Sequence, residues 1–238
     1  RLWLGSMPGL ISGQSPDRNI FYSSYLSTYV ERDVRELSGS VDALKFNRFV
    51  TAVAARCSQL LNYKALADDA DIDMPTAKNW VNILETLGII FLLHPYSNNV
   101  LKRTIKTPKV YFYDTGLVCY LTRWSSPEVA ESGAMSGALL ENFTVSEIMK
   151  SYQNAGLEPY LYFYRDRDAK EIDVILEGDG KLCPLEIKKT ATPDKRLTRV
   201  FSVMDRSPLQ LGTGAVLCMA EQFGAFDRDN LIVPIWMI

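Results

Sequence analysis

Glu171-Ile172-Asp173-Val174-Ile175-Leu176-Glu177-Gly178-Asp179-Gly180-Lys181-Leu182-Cys183-Pro184-Leu185-Glu186-Ile187-Lys188 reads as two strands joined by a tight turn. The apolar β-branched residues on either side favour a pleated surface, and Gly178-Asp179-Gly180 supplies the hairpin. Working outward, an aromatic run at 160–164 predicts a strand before it, and an apolar helical pattern at 134–152 precedes that. Downstream, 194–204 reads as a helix, and 214–219 and 231–236 as strands. Helix, three-strand meander, helix and strand predict an α/β sandwich.

Side chains two apart on a strand share a face, so Glu186 and Lys188 point together and Ile187 points away. An antiparallel register can bring the Asp173 carboxylate beside Glu186. Two adjacent carboxylates repel unless a cation lies between them, and hard oxygen donors favour Mg²⁺ or Mn²⁺. Such an ion acidifies a bound water and neutralises charge developing on a phosphodiester. In that reading Lys188 serves the attacking water or the same developing charge, and Glu141, from the preceding helix, holds outer waters of the metal. The plainer reading is an ordinary half-exposed sheet, where each cross-strand charge pair contributes about 0.2–1 kcal/mol.

The first half of the chain has a different grammar. Residues 21–37 and 42–61 carry helical apolar stripes. Asn62 is placed to cap a short helix, Pro75 to open a helix ending before Gly88, and Asp114 to cap another through Leu121. Strands are expected at 89–93 and 109–113. Helix, short helix, turn, helix and hairpin is the order of a winged helix-turn-helix. On its second helix Trp80, Ile83, Leu84 and Leu87 form the inner face, leaving Lys78, Asn79 and Asn82 outward. The hairpin carries Lys102, Arg103, Lys106 and Lys109 within eight residues, a stretch suited to a phosphate backbone. The same module could equally dock a protein or act as a spacer.

The whole chain of 238 residues has net charge −2, so any basic surface is local. Residues 1–45 are neutral, 46–123 carry +3 and 124–238 carry −5. Three segments are expected on those bounds: a linker, the winged-helix domain and the α/β domain. Four dispersed cysteines and one histidine, His94, rule out a Cys/His zinc site and read as reduced core thiols of a cytoplasmic protein. No apolar run reaches the roughly 20 residues of a spanning helix, so no membrane partner is expected. The chain opens at Arg1 without a start signal, as a piece of a longer protein would.

Several motifs in fixed order resemble one large prokaryotic family. They are Tyr29-Val30-Glu31-Arg32-Asp33-Val34, Thr76-Ala77-Lys78-Asn79-Trp80, Pro108-Lys109-Val110-Tyr111-Phe112-Tyr113-Asp114-Thr115-Gly116-Leu117, Leu140-Glu141-Asn142-Phe143, Tyr164-Arg165-Asp166, Glu171-Ile172-Asp173 and Glu186-Ile187-Lys188. The family is that of predicted AAA-type ATPases carrying a C-terminal domain of unknown function. The resemblance implies a P-loop ATPase module, with Leu2 to Leu10 similar to its tail, ahead of a winged helix and a domain similar to the PD-(D/E)xK restriction-endonuclease fold. It maps Glu141, Asp173, Glu186 and Lys188 onto that fold's helix acid, strand acid and E-x-K. Ile172 stands where the fold's name has proline. Arg165 also matches; it either binds a phosphate or pairs with Asp173 or Glu171. This chain has no G-x-x-x-x-G-K-[ST], so ATP belongs to the part that precedes it.

The expected function is therefore a DNA-binding arm of an ATPase bearing a Mg²⁺- or Mn²⁺-dependent nuclease-like site. The alternatives are a non-catalytic DNA- or protein-binding regulatory module, and an arm that contacts protein alone.

Overall fold

The computed structural model of the chain describes residues 1–13, 17–38, 42–96 and 106–238. It is a mixed α/β protein of two compact units. The first comprises residues 1–92 and 110–143, the second 93–109 and 144–238.

The first unit begins with α1 (Pro8–Ile11), α2 (Arg18–Tyr25) and α3 (Glu31–Ser38). The single helix expected over 21–37 is interrupted, because Leu26–Val30 winds as a π-helix between α2 and α3. The next expected helix also stops early: α4 (Ala43–Ala54) gives way to a short strand, β1 (Gln59–Leu60). Asn62 accepts from the Ala65 N–H at 3.0 Å and starts α5 (Tyr63–Ala70). Asp73 accepts from the Thr76 N–H at 2.7 Å and starts α6 (Met74–Thr86), with Pro75 in its first turn. Strands β2 (Ile90–Pro95) and β3 (Lys109–Phe112) follow, then α7 (Thr115–Leu121) and α8 (Pro127–Ser132). Phe46 and Phe49 of α4 both meet the Trp80 ring edge-on at 5.3 Å, so α6 buries the face its spacing predicts.

Asp114 is a hub of this unit. Its carboxylate caps α7 through the Leu117 N–H (2.7 Å) and accepts from the Tyr22 hydroxyl (2.6 Å) and the Ser6 N–H (2.7 Å). The N-terminal segment crosses so close that a Cβ on Gly116 would lie 2.2 Å from the Tyr22 hydroxyl oxygen. Arg18, buried in the same knot, donates to the carbonyls of Trp3 (3.1 Å) and Gly116 (2.9 Å).

Helix α9 (Ser136–Asn154) contributes to both units. In the second unit the order is β4 (Leu161–Arg165), β5 (Glu171–Gly178), β6 (Lys181–Lys188), a 3-10 segment at Lys195–Arg206, β7 (Gln210–Leu211), β8 (Gly214–Cys218), β9 (Gly224–Ala225) and β10 (Asn230–Pro234). The sheet is mixed. β4, β5 and β6 are antiparallel, β8 runs parallel to β6 and β10 parallel to β8, and the end of β2 pairs parallel with β4. The expected helix at 194–204 is 3-10 instead. Its buried residues Thr198, Phe201 and Met204 recur every three positions, which is the 3-10 repeat and not 3.6.

One register shift places the candidate site. Between Tyr162↔Ile175 and Tyr164↔Ile172, β5 has one residue more than β4, a β-bulge. Ile172 and Ile175 thus enter the same apolar cluster despite their odd spacing.

Candidate active site

The β5–β6 ladder runs from Gly178↔Lys181 to Val174↔Leu185. One step further Asp173 stands opposite Glu186, the register the sequence suggested. Asp173 lies within the bulge, and its Oδ2 accepts from the Ile187 N–H on the neighbouring strand at 2.8 Å. Asp173 and Glu186 are both buried, at 6% and 8% exposure. Lys188 reaches over them from the same face of β6, its Nζ 2.7 Å from Glu186 Oε1 and 3.8 Å from Asp173 Oδ2. Parallel β8 lies beyond, with Val216 facing Glu186 and Cys218 facing Lys188. Three of the four predicted catalytic groups therefore share one spot: two carboxylates away from bulk water, with a half-exposed amine between them.

Glu141 belongs to the first unit, where its Oε1 accepts from the Tyr111 hydroxyl at 2.7 Å. Beside it Asn142 pairs with the Phe112 backbone in both directions, at 2.8 Å each. The Glu141 charge is felt locally: burial pushes the Cys57 thiol up to about 12, and Glu141 adds to the rise. Among the described residues no group of three His, Cys, Asp or Glu side chains is arranged to hold a metal ion. Two carboxylates still fit Mg²⁺, which keeps several waters and is commonly held by one or two carboxylates plus substrate phosphates.

Arg165 and Lys109 are removed from the expected basic surface by one acid. Glu171 binds Lys109 Nζ at 2.6 Å through Oε1 and Arg165 at 3.0 Å through Oε2. Lys109 is only 3% exposed and lies 5.5 Å from the Phe163 ring centroid. A buried, ion-paired lysine cannot reach a phosphate without breaking that pair, so its assignment to nucleic-acid contact is corrected. Asp166 is likewise committed, accepting from the Asp168 and Lys170 N–H groups to close the turn after β4.

Lys78, Asn79 and Asn82 are exposed along α6, with Lys78 Nζ 5.7 Å from the Tyr63 ring centroid. Lys106 is exposed as well. Lys102 and Arg103 lie outside the described residues.

Comparison with known proteins divides the chain near residue 130. A family model described as a domain of unknown function, DUF8612, matches residues 1–128, more than half of the chain. The chain belongs to the DUF8612 family. A second domain of unknown function, DUF4143, matches residues 136–238 and includes Asp173, Glu186 and Lys188. Two curated relatives, described as uncharacterized proteins of Mycobacterium tuberculosis and Mycobacterium bovis, are each 29% identical over 238 residues, 99% of this chain. The chain spans about half the length of these relatives, 52% in each case. No solved structure matches it.

Within the DUF8612 segment, sequence reasoning found the Asp114 cap and missed the rest of its role. Its partners Ser6 and Tyr22, and Arg18 on the Gly116 carbonyl beside it, are brought in from about 100 residues away, and no local pattern marks them. In the DUF4143 segment Glu171 was considered only as a partner for Arg165. A lysine beginning a strand of otherwise buried residues, Lys109-Val110-Tyr111-Phe112, was the available sign that it needed a buried acid.

Proposed function

We propose that the second unit is a restriction-endonuclease-like domain in which Asp173 and Glu186 hold Mg²⁺ or Mn²⁺ and Lys188 serves hydrolysis of a DNA phosphodiester. The supporting observation is the shared position of these three side chains at a β-bulge on adjacent antiparallel strands. When bound, the metal supplies charge neutralisation and an acidified water. Asp173 would offer Oδ1, since Oδ2 already accepts from the Ile187 N–H. Lys188 would yield its place between the carboxylates and present its ammonium to the reacting phosphate.

In the same reading residues 46–123 form a winged helix that grips DNA. The order α4, α5, α6, β2, β3 and the exposed Lys78, Asn79, Asn82 and Lys106 support it. An ATPase module would occupy the preceding half of the full-length protein, a proposal that rests on the sequence resemblance.

The test is cleavage of duplex DNA with Mn²⁺ by the whole chain, alongside calorimetric Mn²⁺ binding. The expected result is cutting that falls at least about a hundredfold in Asp173→Ala and Glu186→Ala. Cutting that survives both changes overturns the assignment. A second reading is favoured by one observation: Lys188 already neutralises both acids. It makes the cluster a structural ion triad in a non-catalytic DNA- or protein-binding module. Absence of both Mn²⁺ binding and cleavage selects it.

A further inference from the structure

The first unit contains an open groove with arginine, serine, threonine and asparagine along its walls, apart from the carboxylate cluster. One cavity, of about 410 Å³, is walled by Ser23, Ser27, Asn47, Thr51 and Arg123. A second, of about 520 Å³, shares Asn47, Thr51 and Arg123 and adds Arg48 and Arg56. Both volumes fall in the roughly 300–1,000 Å³ range of small-molecule sites. The walls come from four places in the sequence: α2, the π-helical turns after it, α4, and the end of α7 with Arg123 two residues beyond it. Single-turn π-helical insertions are frequent at functional sites.

The charge balance of the cleft asks for an anion. Three guanidiniums line it against one carboxylate, Asp69, and Asp69 is committed to Arg56 at 2.6 Å. Among the described residues no carboxylate forms an ion pair with Arg48 or Arg123. Arg123 is also held in a backbone conformation that arginine disfavours. Its φ is +61° at the end of α7, where the Trp124 N–H closes back on the Cys119 carbonyl and glycine is the usual occupant. The neutral walls add hydrogen-bonding capacity. The Ser27 and Thr51 hydroxyls now donate to carbonyls one turn earlier in their own helices, at 3.0 and 2.8 Å. A rotation about χ1 frees either for a ligand oxygen.

We propose that this cleft binds the phosphate group of a small phosphorylated ligand, with Arg123 and Arg48 as its principal cations. Guanidinium forks pair with phosphate oxygens bidentately, and hydroxyl and amide groups complete such a shell. The groove is open to solvent, and its donors come from several elements over a volume suited to a small ligand. The site is independent of Asp173, Glu186 and Lys188.

The experiment titrates the whole chain with inorganic pyrophosphate by calorimetry, and in parallel with a short DNA duplex. Arg123→Gly and Arg48→Gln are the variants. Arg123→Gly removes the guanidinium while relieving the backbone, so a folding defect does not confound it. Saturable pyrophosphate binding that weakens at least about tenfold in each variant supports the proposal. No saturable binding, or binding that both variants retain, overturns it. Pyrophosphate silence together with duplex binding that depends on Arg123 and Arg48 also overturns it, and makes the cleft a nucleic-acid contact.

Discussion

Lys188 decides how the buried acids behave. Its amine lies between Asp173 and Glu186, and removing one member of a buried ion cluster leaves uncompensated charge. Lys188→Met is expected to lower stability by about 1–3 kcal/mol, the low side of the usual range because the lysine side chain is 43% exposed. If the acids take a divalent ion, millimolar Mn²⁺ restores part of the loss, as ligand binding to the folded state must. Chemical denaturation with and without Mn²⁺ reads both effects, and equal curves sink the cation site. Tyr22→Phe is a simpler case. It withdraws one of the hydrogen bonds to the buried Asp114 carboxylate and is expected to cost about 1–2 kcal/mol in the same assay. The pairing of Asp173 with Glu186 was legible in the sequence because strand alternation and a tight turn fix it locally. The burial of Lys109 was not, because its partner Glu171 lies 62 residues away and only the folded chain brings them together.

At the scale of elements, what was readable was again what is local. Asn62 and Asp114 were recognised as caps because the acceptor and its N–H are three residues apart. Asn62→Ala is expected to destabilise the protein by about 1 kcal/mol, seen as a lower denaturation midpoint with an unchanged slope. The π-helical turn at Leu26–Val30 left no such mark; no proline or glycine interrupts its apolar stripe. The 3-10 segment did leave one, in the three-residue recurrence of Thr198, Phe201 and Met204. Its N-terminal end depends on two acids. Asp194 accepts from the Arg196 backbone and side chain, and Asp227 from Lys195 and Asn230, which draw each carboxyl from its ordinary 3.8 down to about 2. A depressed carboxyl stabilises the fold above its unfolded value and loses that contribution as pH falls through its folded one. The segment should therefore hold above about pH 4 and loosen toward pH 2. The denaturation midpoint should fall over that interval, and less steeply in an Asp194→Asn, Asp227→Asn double variant.

For the molecule as a whole, charge separates the two tasks proposed for it. Residues 46–123 carry +3 and residues 124–238 carry −5, so the segment holding Asp173 and Glu186 repels a phosphodiester unless a cation intervenes. On that proposal, affinity for DNA comes from the first segment and is salt-dependent. Four cations are candidates: Lys78 and Lys106, both exposed, with Lys102 and Arg103 from the same basic run. If each neutralises one phosphate, log affinity falls against log salt with a slope of about −3 to −4. Lys109 and Arg165 do not enter that count, because Glu171 already holds both. Replacing Lys102, Arg103 and Lys106 by glutamine should flatten the slope by about 3, while Arg165→Gln should leave it unchanged. Fluorescence anisotropy of a labelled duplex across a salt series measures it. A slope that survives the triple change places the DNA contact elsewhere on the chain. A steep slope that appears only with Mn²⁺ present assigns the contact to the carboxylate cluster itself.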